Sequence, residues 1–159
     1  MNKFISSLFL GSLIALAGAA IAAAASADPV LGTWKLNVAK SMTATGPAAG
    51  SETRTYSQGD KGISVEINSV GADGKTVTTK TTYHLDGKVY PATGAAGFDS
   101  LSGKQTDAST ADFSLIKGGK TVGNLRRAVS ADGKVLTVTT EMTDAKGAKA
   151  KSTSVYDKQ

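Results

Sequence analysis

One arginine has the setting in which a charged side chain could do chemistry. Strand alternation over residues 120–130 places Arg127 on the same face as Leu125 and Val129, with Arg126 on the opposite face. A guanidinium on an apolar face needs an anionic or hydrogen-bonding partner, because an unpaired buried charge costs on the order of several kcal/mol. A ligand carboxylate held bidentately would serve. Four hydroxyls are candidates to assist it: Tyr156, Tyr83, Thr79 and Thr81. Over residues 75–85, alternation puts Val77, Thr79, Thr81, Tyr83 and Leu85 on one face and Lys80 and His84 on the other. A register slip of one residue would instead leave Arg127 in solvent, with the Arg126-Arg127 pair simply straddling the sheet.

Other chemistries find little support. The chain has no Cys, which removes thiol nucleophiles and Cys-ligated zinc. His84 is the only histidine and falls on the outward face. The aspartates sit mostly in turns and form no calcium-loop pattern. There is no nucleophile-elbow motif and no glycine-rich phosphate loop. No catalytic residue, metal site or cofactor is assigned, and a binding role is expected in place of an enzyme. The formal net charge is +5, but the lysines are scattered beside turns without a basic stripe. Nucleic acid is therefore not an expected partner.

These residues must be positioned by whatever follows the N-terminal segment. The chain opens with Met1-Asn2-Lys3, continues as an uncharged apolar run over 4–25, and reaches Ala25-Ser26-Ala27 before Asp28-Pro29. That order reads as a secretory signal peptide, residues 1–27, cleaved after Ala27. An uncleaved membrane anchor is the alternative, since the run is long enough to span a bilayer. Cleavage implies a periplasmic or secreted protein with no stable membrane anchor, and a single domain over 28–159. With no Cys there are no disulfides, so packing and strand ladders must hold the fold.

Beyond residue 28 the chain is rich in Thr, Val, Gly, Ser and Lys, with no helical period. Turn signals recur at short intervals, among them Asp86-Gly87, Gly118-Gly119 and Ala131-Asp132-Gly133. Ten strands are expected: 32–38, 52–58, 63–70, 75–85, 88–90, 99–106, 111–117, 120–130, 134–143 and 149–157. The short fifth ends at Pro91, and plain loops occupy 39–51 and 92–97. Ile63, Val65, Ile67, Phe113, Leu115, Leu136, Val138 and Met142 should face inward. The expected fold is all-β, a single antiparallel up-and-down barrel of about 8–10 strands, because closure removes exposed edges. A two-sheet β-sandwich is the alternative.

At Leu31-Gly32-Thr33-Trp34-Lys35-Leu36 the chain resembles the calycin group, the lipocalins and fatty-acid-binding proteins. In that group a Gly-x-Trp on the first strand closes the bottom of the barrel, which implies a plug formed by Gly32 and Trp34. Ser154-Val155-Tyr156-Asp157-Lys158 resembles the last strand of fatty-acid-binding proteins, where an Arg-x-Tyr pair grips a carboxylate; here Ser154 stands in place of that Arg. Those proteins also carry a lumen arginine at a place similar to Arg127, and a helical lid that 39–51 lacks. The chain is most similar to small exported bacterial lipocalin-like domains of unassigned function. It shares with them Gly-Thr-Trp-Lys-Leu-Asn, Lys40-Ser41, the stretch from Tyr90 to Gly94, and the Val-Tyr-Asp-Lys close. The resemblance implies an exported binding protein for a small apolar or amphipathic molecule, anionic ones included, in a barrel cavity. The alternative is a periplasmic interaction or inhibitor-type barrel with no small-molecule ligand. No oligomeric state is assigned.

Overall fold

A computed structural model describes residues 27–159 except residues 45, 48, 49, 72 and 145. All of the expected signal peptide except Ala27 lies outside the described residues. The strands are β1 Gly32–Leu36, β2 Met42–Thr43, β3 Gly46–Pro47, β4 Ser51–Gly59, β5 Gly62–Val70 and β6 Thr76–Tyr83. They continue as β7 Asp86–Thr93, β8 Ser100–Gln105, β9 Thr110–Lys117, β10 Lys120–Val129, β11 Val135–Thr143 and β12 Lys149–Lys158. Ten of them, β1 and β4 to β12, pair in sequence order, every neighbour antiparallel. β1 then pairs with β12 through Trp34↔Lys158, Lys35↔Asp157 and Leu36↔Tyr156, which closes the barrel. The fold is therefore an all-β, up-and-down, ten-stranded closed barrel, an architecture compatible with a calycin-type fold.

Alternation sets the core. Along β9 the burial repeats strictly, with Ala111, Phe113 and Leu115 enclosed. Ile63 and Val65 on β5, and Leu136 and Val138 on β11, do the same. These β-branched and aromatic side chains suit a pleated, half-buried surface. One inward glycine makes room for a ring: a Cβ on Gly103 would come within 2.5 Å of Phe113.

Three expectations need correction. Residues 39–51 are not a plain loop. They contain part of a one-turn 3-10 helix, Val38–Lys40, capped by the Asn37 side chain, and the short strands β2 and β3, with Met42 of β2 opposite Thr153 of β12. The fifth strand does not stop at Pro91. β7 runs through it to Thr93, leaving 94–99 as the connection. Proline is tolerated because β6 and β7 pair only at Lys80↔Thr93 and Thr81↔Ala92, so its missing N–H falls where the ladder is already short. Val77, expected inward, is 50% exposed because β6 reaches the barrel end there.

The two barrel ends differ. One is closed by residues 28–31 beneath Trp34, whose Nε1 donates to the Val30 carbonyl at 2.6 Å. Trp34 and Val30 are both fully buried. Lys158 Nζ lies 4.9 Å from the indole ring, and Gly32 takes φ +120 beside the Lys158 side chain. The opposite end carries the connections 37–50, 71–75, 94–99, 118–119 and 144–148.

Candidate functional site

Arg127 is on the inner face of β10, 1% exposed, with Val129 below it and Leu125 above. β10 is tied on both edges, by Arg127↔Val138 of β11 and Arg127↔Ala111 of β9, so a one-residue slip would invert two ladders at once. Arg126, its neighbour, is outside and makes a two-pronged bond to Asp112 at 2.7 and 2.8 Å.

The Arg127 guanidinium is held on two of its three nitrogens. Nη2 donates to Asp28 Oδ2 at 2.7 Å and Nη1 to the Tyr83 hydroxyl at 3.0 Å. Asp28 is positioned by its own turn: Oδ1 accepts from Val30 N, and its carbonyl accepts from Leu31 N, both at 3.0 Å. Phe113 packs edge-on against Tyr83, ring centroids 5.2 Å apart. Burial drives the Tyr83 phenol well above its ordinary pKa, outweighing the nearby Arg127 charge, so it remains an O–H. That O–H finds no acceptor among the described residues. Arg127 Nε is likewise buried without an acceptor among them.

A cavity of about 60 Å³ lies beside this group. Arg127, Tyr83, Thr81 and Thr79 all line it, so four of the five hydroxyl and guanidinium candidates meet at one cavity. The Thr81 hydroxyl donates to the Pro91 carbonyl at 2.8 Å, bridging the thin β6–β7 seam. The rest of the lining is mostly apolar, including Ile67, Leu101 and Leu115. Phe98, in the 94–99 connection, is the lining residue that does not belong to a strand.

Tyr156 is buried but belongs to a second cluster. Its hydroxyl donates to Glu52 Oε1 at 2.6 Å. Arg54 Nε donates to the same oxygen at 2.6 Å, and the Ser69 hydroxyl donates to Oε2 at 2.7 Å. The Arg54 guanidinium carbon sits 4.8 Å from the centre of the Tyr156 ring. Burial raises the Glu52 pKa, yet the Arg54 charge and the bonds from Tyr156, Ser69 and Arg54 bring it below the ordinary carboxylate value. Burial also lifts the Tyr156 phenol well above its usual range. The two terminal amines of Arg54 have no acceptor among the described residues, and Arg54 lines the same cavity as Arg127.

Arg54 and Glu52 went unassigned in the sequence. In β4 both faces are polar: Glu52 and Arg54 point inward, Thr53 and Thr55 outward, so apolar alternation gives no face. The usable signal was the i, i+2 spacing of opposite charges beside Tyr56, which puts all three on one side of a strand. Among the described residues, no group of three His, Asp or Glu side chains gathers as metal ligands would. Comparison of the chain with protein-family models, with curated proteins and with solved structures returns no match.

Proposed function

We propose that this is an exported, lipocalin-like binding protein whose barrel takes a small apolar or amphipathic molecule against Arg127. The observation that carries this reading is that Arg127 lines the cavity while its Nε–H is buried with no acceptor among the described residues. A buried unpaired donor costs about 1–3 kcal/mol, a penalty that a ligand oxygen at that position would relieve. Tyr83 and Arg54 bring further donors to the same cavity, while Ile67, Leu101 and Leu115 supply apolar lining. At about 60 Å³ the space is less than half the roughly 150 Å³ of an engineered cavity that accepts benzene. The occupant is therefore small, or larger with displacement of Phe98, which lies in the 94–99 connection outside the strands.

Native mass spectrometry of protein purified from its own source tests this. The expected result is a non-covalent adduct that Arg127→Leu loses while keeping the β-sheet spectrum of the parent. Bare protein in both cases would refute the reading.

A second reading, a barrel that acts through its surface on another protein, is favoured by the same small volume. It also draws on Asp28, which already neutralises Arg127. Recovery of bare protein would move the weight to it.

A further inference from the structure

Resting on the lumen-binding reading above, the charge and hydrogen-bond inventory of the cavity narrows the ligand class. Each lumen guanidinium has its own carboxylate: Arg127 has Asp28 at 2.7 Å, and Arg54 has Glu52 at 2.6 Å. The two pairs leave the lumen without net charge. All four carboxylate oxygens already accept a hydrogen bond, from Val30 N, Arg127, Tyr156 with Arg54, and Ser69. The donors left without an acceptor among the described residues are Arg127 Nε–H, the Tyr83 O–H and the terminal amines of Arg54. We infer that the lumen selects a neutral ligand with an acceptor-only head, a ketone, aldehyde or ester carbonyl on a short apolar body, over a carboxylate.

A carbonyl oxygen accepts from these donors and adds no charge. A carboxylate accepts equally well but must leave water for a lumen whose positive charges are already compensated, and the desolvation of an ion is far costlier than that of a ketone. The threonine hydroxyls on the wall do not alter this balance. Thr81 has already given its proton to Pro91, and a hydroxyl carries no charge to compensate an anion. Specificity then comes from the two fixed counter-ions as much as from the guanidiniums. An arginine-lined pocket stripped of Asp28 and Glu52 would have the opposite preference.

Acetone and acetate, which match in size, form the test. Each is titrated into the protein while the methyl resonances of Leu101 and Leu115 are followed by NMR. Acetone is expected to bind more tightly than acetate by about tenfold or more, equivalent to about 1.4 kcal/mol. In Asp28→Asn, where an amide oxygen still faces Arg127 but the counter-charge is gone, acetate should gain on acetone by a similar factor. Glu52→Gln makes the same change at Arg54 and serves if Asp28→Asn does not fold. Acetate binding as tightly as acetone in the parent, or an unmoved ratio in the folded variant, overturns the inference and leaves lumen binding intact. Saturation by neither probe at concentrations that leave the protein folded overturns lumen binding for molecules of this size, and the inference with it.

Discussion

Arg127 and Arg54 are both lumen guanidiniums, but their carboxylates reach them by different routes. Asp28 comes from outside the barrel ladder, 99 residues away in sequence, and its turn also carries Val30, the acceptor for the Trp34 indole. Glu52 stands two residues before Arg54 on the same strand face. The first pair is a tether: it secures residues 28–31 across the closed end and completes the enclosure of Trp34. The second is local, forms at little loop-closure cost, and is partly open, with side-chain exposures of 13% and 19% against 2% and 11% for the first pair. The contrast teaches that burying a charge and binding a ligand are separate tasks here. The carboxylate in each pair satisfies the charge, while Nε of Arg127 and the terminal amines of Arg54 remain without an acceptor among the described residues.

The largest expected effect separates the two pairs. Asp28→Ala leaves a fully buried guanidinium uncompensated and should lower unfolding stability by about 3–5 kcal/mol in urea titration. An equal or smaller loss than at Glu52 would break the comparison. Glu52→Ala removes the acceptor for Tyr156, Arg54 and Ser69 at a partly open site. A loss of about 1–3 kcal/mol is expected in the same assay.

The two ends also predict a pH response. The folded-state pKa of Glu52 lies below its ordinary value, so the unfolded chain holds that proton more tightly. The stability it contributes is fully present above the unfolded value of about 4.3 and is lost as pH falls through the folded one. Stability measured against pH should thus fall less steeply on the acid side in Glu52→Gln than in the parent; parallel curves would remove Glu52 from the account. The smallest effect is at the other member of the arginine pair. Arg126 and Asp112 are well exposed on the outer face, so Arg126→Ala should leave the unfolding midpoint unmoved. A drop comparable to that of Asp28→Ala would mean that the two arginines have exchanged faces.

Much of this architecture was readable from residue order. Most of the strands needed only period-two alternation between turn signals, and Arg127 could be placed inside because Leu125 and Val129 flank it on one face. Three features were not readable, each for a physical reason. The Arg54–Glu52–Tyr156 cluster lies on a strand polar on both faces, where alternation carries no information. The partner of Arg127 lies on a turn outside every strand, at a sequence distance that no local pattern encodes. The passage of β7 through Pro91 depends on how little of that edge β6 pairs, a property of the closed barrel and not of the segment.

Side-chain NMR of the arginine Nε–H groups, with acetone and acetate as probes, reads the central claim at the atom on which it rests. If the lumen binds small molecules through the free donor of Arg127, its Nε–H resonance will shift saturably with at least one probe while that of Arg126 stays fixed. An Arg127 Nε–H resonance unmoved by both would contradict the account.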